Sequence, residues 1–207
     1  MRRLARRQML KWTQRGLFAA AFVMLGYCGY VVADTWTFQR GERQQFEHLL
    51  TAQLADRSVQ ARNDHVHAVR EAAPAPIADG MIGRIDVARL GLSAMVMEGT
   101  GSRTLRRAVG HIEGTSMPGL PGNVGISGHR DTFFRPLRNI RQDDIILLTT
   151  LQGEYRYRVL SIRVVEPEDV AVLDAGENEV LTLVTCYPFY FVGAAPKRFI
   201  VRAERVT

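Results

Sequence analysis

Cysteine is almost missing from this chain. There are two in 207 residues, and Cys28 falls inside a long apolar run, so the remainder holds a single thiol, Cys186. A domain with one cysteine cannot be stapled by an internal disulfide. Cys186 is therefore an inert buried residue, an intermolecular link or a reactive thiol that has been kept. Lysine is scarce too, and arginine carries nearly all of the positive charge. A general basic surface is also lacking. The net charge is +6, but residues 1–15 alone hold Arg2, Arg3, Arg6, Arg7, Lys11 and Arg15 with no acid, and the rest balances at 21 basic against 21 acidic residues. No surface for neutralising phosphates is implied, so nucleic acid is not an expected partner. Internal repeats and long amphipathic helices alternating with strands are likewise absent after residue 81, which argues against a parallel α/β sheet.

What the chain does have begins behind the basic segment. Gly16 to Ala33 is an uncharged run of 18 residues, about the length needed to cross the hydrocarbon core as a helix. Positive charge on its N-terminal side and Asp34 on the other predict a single-pass anchor in the cell membrane, with residues 1–15 cytoplasmic and the rest extracytoplasmic. Val31-Val32-Ala33 loosely resembles a signal-peptide cleavage pattern. A cleavable apolar core is shorter, at about 7–15 residues, so an anchor at 16–33 is the expectation.

Residues 34–77 read as a juxtamembrane helix and linker. Phe38, Phe46, Leu49, Leu50 and Leu54 fall near helical spacing among polar residues, a thin apolar stripe suited to a stalk. Ala72-Ala73-Pro74-Ala75-Pro76 then breaks any helix and places the domain start near Ile77. His65 and His67, just before it, are expected to be solvated rather than metal ligands. Residues 78–207 change to short apolar runs punctuated by Gly, Pro and Asn. Strands are expected near 81–87, 92–97, 123–127, 144–150, 154–165, 180–185 and 198–206, with short helical turns at Thr104 to Val109 and Phe133 to Asn139. Gln152-Gly153 between two such runs marks a hairpin. The fold class is all-β, a barrel or a sandwich.

Three segments carry groups able to do chemistry. Gly122 to Thr132 ends an apolar run in Gly128-His129-Arg130-Asp131; Leu181 to Pro188 ends another in Thr185-Cys186-Tyr187; Lys197-Arg198 opens a third. Strand ends are rigid yet reachable by solvent, which suits reactive groups. A thiolate is the nucleophilic form of Cys186, and a nearby imidazolium or guanidinium would favour it. His129 is a candidate proton donor to a leaving amine, since imidazole titrates near neutrality. Phe199, Val201 and Ala203 alternate with Arg198, Ile200 and Arg202, so Arg198 should face away from the apolar side of its strand. There it could hold a carbonyl or an oxyanion without titrating. On composition alone, a buried cysteine, a turn histidine and a solvated arginine explain the same residues.

Thr185-Cys186-Tyr187-Pro188-Phe189, with Gly128-His129-Arg130-Asp131-Thr132-Phe133-Phe134 upstream and Gly193-Ala194-Ala195-Pro196-Lys197-Arg198-Phe199 downstream, resembles the sortase family, most of all its class D branch. The resemblance covers about Gly80 to Thr207. It implies a closed eight-stranded β-barrel with short helices behind the transmembrane helix. It also implies a cysteine transpeptidase that cleaves a Leu-Pro-x-Thr-Gly-like or Leu-Pro-x-Thr-Ala-like sorting signal of surface proteins after Thr. The acyl chain would rest as a thioester on Cys186 and pass to an amine of the cell envelope or of another protein.

On the same resemblance Cys186 is the nucleophile, His129 the general acid and then base, and Arg198 the substrate-orienting and oxyanion-stabilising group, with Lys197 and Arg202 as its nearest rivals. Asp131 would shape the turn after His129. His111 would be a groove or structural residue, and Thr185 and Tyr187 would border the substrate, with the Tyr187 N–H a possible oxyanion donor. No cofactor is expected. Some sortases bind calcium near the loop before the nucleophile strand, and Glu166, Glu168 and Asp169 precede that strand here, but a solvated acidic loop is the ordinary reading.

Two other readings stay open at the level of sequence, and a third lacks its motif. A thiol protease would use the same residues and release the acyl group to water. A catalytically silent, membrane-tethered barrel would bind extended peptides with Cys186 structural. A cell-wall L,D-transpeptidase would need a Ser-x-Gly-Cys-like nucleophile segment, which is not found around Cys186.

Overall fold

The computed structural model describes residues 2–63, 80–191 and 193–206. The linker at 72–76 and His65 and His67 lie outside them. The chain divides into two compact units, Met1–Phe38 and Gln39–Thr207. Helix α1 runs over Arg2–Asn63. In its N-terminal part an 18-residue window has mean hydropathy 1.9 with none of it buried, long and apolar enough to cross a membrane. Leu17, Phe22, Val23, Leu25 and Tyr27 all present their side chains outward, as a segment solvated by lipid must.

The second unit is a closed eight-stranded barrel. Its strands are β1 (Met81–Val87), β2 (Leu92–Glu98), β3 (Val109–His111), β4 (Gly122–Ser127), β5 (Ile145–Thr150), β6 (Glu154–Val165), β7 (Glu179–Tyr187) and β8 (Lys197–Val206), with α2 (Ser102–Arg107) before β3. Around the barrel they run β1-β2-β3-β4-β7-β8-β6-β5, and β1 closes onto β5. The pairs β2/β3 and β4/β7 are parallel and the rest antiparallel. Period-two alternation decides what fills the interior. Ile85 and Val87, Ala94 and Val96, Val124 and Ile126, Leu181 and Leu183, and Val201 and Ala203 all join one buried cluster with Tyr157 and Phe134. The hairpin expected at Gln152-Gly153 joins β5 to β6. It is held by Thr150, whose Oγ accepts from the N–H groups of Gln152 and Gly153 at 3.1 and 3.3 Å.

The C-terminal part of α1 belongs to this unit rather than standing off as a stalk. The Gln39 side chain accepts from Met95 N–H at 3.1 Å and donates to the Arg107 carbonyl. Arg43 donates to the Ser93 hydroxyl at 2.6 Å, and Glu47 meets Arg84 at 3.5 Å. Phe46 is fully buried, as are Met81 and Met95, which with the largely buried Met97 lie on the face of β1 and β2 opposite the barrel interior. Of the expected stripe, Phe46 carries the docking, Leu49 and Leu50 are half-buried, and Leu54 stays exposed. The boundary expected near Ile77 lies outside the described residues, and the compact unit that holds the barrel begins at Gln39.

Candidate active site

Two hydrogen bonds bring the ends of β4 and β7 together. The parallel ladder runs to Ser127 opposite Val184. It is extended by Gly128 N–H donating to Val184 O at 3.1 Å and by the buried Thr185 hydroxyl donating to Gly128 O at 2.7 Å. His129 follows at once, exposed, at the head of a turn closed by Phe134 N–H to His129 O at 3.2 Å. Gly128 has to be glycine. A Cβ there would sit 2.7 Å from the ring of Phe134, which is fully buried beneath the turn.

The antiparallel pair β7/β8 sets Cys186 directly opposite Arg198. Thr185 and Phe199, one step back, point inward and are buried, so Cys186 and Arg198 share the outer face. Directly opposed residues hold their Cβ atoms about 4.5–5.5 Å apart, which puts a guanidinium within reach of the thiol. Cys186 is half-buried and free. The Arg198 guanidinium donates to the carbonyls of Ala195 and Lys197 at 3.3 and 3.1 Å, which leaves other N–H donors of its fork to meet a substrate. Of its rivals, Lys197 meets Glu166 at 3.0 Å, and Arg202 stands opposite Thr182, two outward-facing positions down the strand.

Thr185 and Tyr187 flank the thiol. Thr185 is occupied with Gly128. Tyr187 stacks on Phe199 at a centroid distance of 6.2 Å, and Phe189 meets Phe199 edge-on at 5.1 Å, an aromatic cluster that closes this end of the barrel. His111 is buried. Its Nδ1 lies 3.1 Å from both carboxylate oxygens of Glu98, and its Nε2 lies 3.0 Å from Ser116 O and from the Thr115 hydroxyl. With both ring nitrogens engaged inside the fold, its surroundings fit the structural role better than the groove role.

One residue of the site has no sequence signal. Arg130 looks like a solvated turn residue, yet it is buried, and its guanidinium donates to three carbonyls of the segment joining β7 to β8. Asp131 is exposed and lies 3.6 Å from Arg130 Nε, on the side of the turn that Arg130 faces.

The acidic residues before β7 stand apart from one another. Glu166 is paired with Lys197, Glu168 and Asp169 are exposed, and among the described residues no group of three or more His, Cys, Asp or Glu side chains converges.

Residues 85–206 match the sortase domain model. Over 192 residues, 92% of this chain and 96% of the relative, the chain is 32% identical to Sortase D of Bacillus subtilis (strain 168). The chain belongs to the sortase family. It is also 29% identical over 112 residues, about half of either protein, to Sortase A of Listeria monocytogenes. Among solved structures it is similar to a Sortase D5 transpeptidase of Clostridium perfringens, with a TM-score of 0.65 and 26% identity over 83% of this chain and 99% of that one. The sortase is thus a cysteine transpeptidase on a closed β-barrel. The transpeptidase unit follows a helix fit to be its membrane anchor.

Proposed function

We propose that this sortase cleaves a Leu-Pro-x-Thr-type sorting signal of surface proteins after Thr and joins the new carboxyl end to an amine of the envelope or of another protein. The observation that carries this reading is the cross-strand register of Cys186 and Arg198, with the turn of His129 tied to the same strand end through Gly128, Val184 and Thr185. The Cys186 thiolate attacks the Thr carbonyl carbon, and the oxyanion that forms faces the Arg198 guanidinium. Collapse of this adduct breaks the C–N bond as His129 gives its proton to the departing amine, leaving a thioester on Cys186. The incoming amine loses a proton to His129, attacks the thioester, and expels the Cys186 thiolate. Thr185 and Tyr187 border the acyl chain, and His111 supports the barrel beneath. The basic residues 1–15 support an N-terminus in the cytoplasm and a barrel outside, by the positive-inside rule.

The test uses the full chain in detergent, because part of the barrel unit lies in α1. Intact-mass spectrometry follows the protein with Leu-Pro-x-Thr-Gly and Leu-Pro-x-Thr-Ala peptides and a simple amine, beside Cys186→Ala. An acyl adduct and an amide product with the parent chain, absent from the variant, support the reading. Products of water alone at saturating amine would make the enzyme a thiol endopeptidase. A folded parent chain that forms neither product leaves a silent peptide-binding barrel.

A further inference from the structure

A buried guanidinium is costly unless its donors are used, and Arg130 is only 6% exposed. Its Nη1 donates to Pro188 O at 2.9 Å, and its Nη2 donates to Phe191 O at 2.7 Å and Gly193 O at 3.0 Å. The Phe191 ring lies 5.9 Å beneath the charge. All three carbonyls belong to the segment between β7 and β8, where the ladder does not supply partners. That segment leaves β7 just beyond Cys186 and returns into β8 at Arg198. In the other direction Arg130 is the chain neighbour of His129. One planar fork therefore fastens the backbone that carries the acid to the loop that carries the nucleophile at one end and the oxyanion partner at the other. Ammonium is a point donor and cannot span carbonyls three to five residues apart as the fork does.

We propose that Arg130 is a positioning residue for this reaction: it touches no reacting atom, and it holds His129 within proton-transfer range of the amine that departs from the Cys186 adduct. The inference rests on the functional reading above. Its signature follows from the leaving group. An amine must take a proton in order to leave, whereas the alcohol of an ester departs with far less help. Misplacing the acid therefore harms amide substrates selectively, and a loop that merely loosened would slow amide and ester alike.

The experiment compares kcat/KM of the full-length parent, R130K, R130Q and H129A, in detergent, on a Leu-Pro-x-Thr-Ala peptide and on the same peptide with an ester in place of the Thr–Ala amide. The amide-to-ester ratio is independent of the fraction of molecules that are folded, so partial destabilisation does not blur it. We expect R130K and R130Q to lose about 10- to 100-fold on the amide and no more than about three-fold on the ester, moving the ratio in the direction that H129A moves it. Equal losses on the two substrates, or no loss, would overturn the proposal while leaving the sortase reading intact. A parent chain inactive on both substrates overturns the reading, and the proposal falls with it.

Discussion

The Thr185 hydroxyl donates a 2.7 Å hydrogen bond to the carbonyl of Gly128. The residue before Cys186 thereby holds the residue before His129. Both groups are buried, so the bond cannot be exchanged for one to water. Thr185→Val keeps the shape, orphans the carbonyl, and should cost about 1–2 kcal/mol of stability. It should also lower kcat/KM by about ten-fold. Thr185→Ser keeps the donor and should stay near the parent in both. Urea unfolding and peptide cleavage check the pair of values.

Arg198 faces Cys186 across β7/β8, and in the proposed reaction its role is electrostatic and directional at once. Arg198→Ala should reduce kcat by about 10²- to 10³-fold, the usual loss for one oxyanion donor. Arg198→Lys keeps the charge without the fork and should recover only part of that. Steady-state kinetics decides it, and a lysine variant as fast as the parent would show that charge alone suffices.

Phe46 is fully buried although it belongs to the helix, and the outward methionines of β1 and β2 are buried with it. Phe46→Ala should therefore destabilise the barrel unit by about 3–5 kcal/mol, as a core truncation would. A chain begun at Ile77 should melt lower still and bind a hydrophobic dye. Thermal unfolding of the three proteins tests this, and equal melting temperatures would reduce α1 to a tether.

Asp144 is held below the ordinary carboxylate range by its hydrogen bonds from Arg89 and the Arg141 N–H, against the opposing effect of burial. A depressed carboxylate contributes stability that is complete above its unfolded value of about 4 and is lost as pH falls through the folded value. The parent chain should lose stability on acidification below about pH 4. Asp144→Asn should be less stable at pH 7 and flatter with pH in that window. Denaturant midpoints measured down the acid limb would show whether the two curves converge.

Much of the barrel is legible in the sequence because period-two alternation survives where one face is buried. The runs at 81–87 and 154–165 are β1 and β6 to the residue, and the alternation of Phe199, Val201 and Ala203 with Arg198 correctly turns the guanidinium outward. β3 is not legible. Val109–His111 is three residues long, too short to show a period, and the helical turn expected there ends at Arg107. Phe133 to Asn139 reads as a helical turn, and its regular part is the tighter 3-10 form at Arg135–Asn139. The docking of α1 is hidden for a different reason. Its apolar stripe is thin because polar side chains, Gln39 and Arg43 among them, make much of the contact. At the candidate site, Cys186, His129 and Arg198 stand out by residue type at or just beyond strand ends. Arg130 does not, since nothing local separates a buried arginine from a solvated one.

Between Cys186 and Arg198 the chain makes an excursion that the two residues themselves ignore. Their separation is decided by which rung of the β7/β8 ladder each occupies, not by how much chain lies between them. Arg130 pins that excursion only as far as Gly193. Length should drift more readily among descendants of this sequence in the stretch from Ala194 to Pro196, where among the described residues Arg198 alone holds the Ala195 carbonyl, than from Pro188 to Gly193. A library of insertions scanned through the segment would make that asymmetry visible as a step in tolerated size.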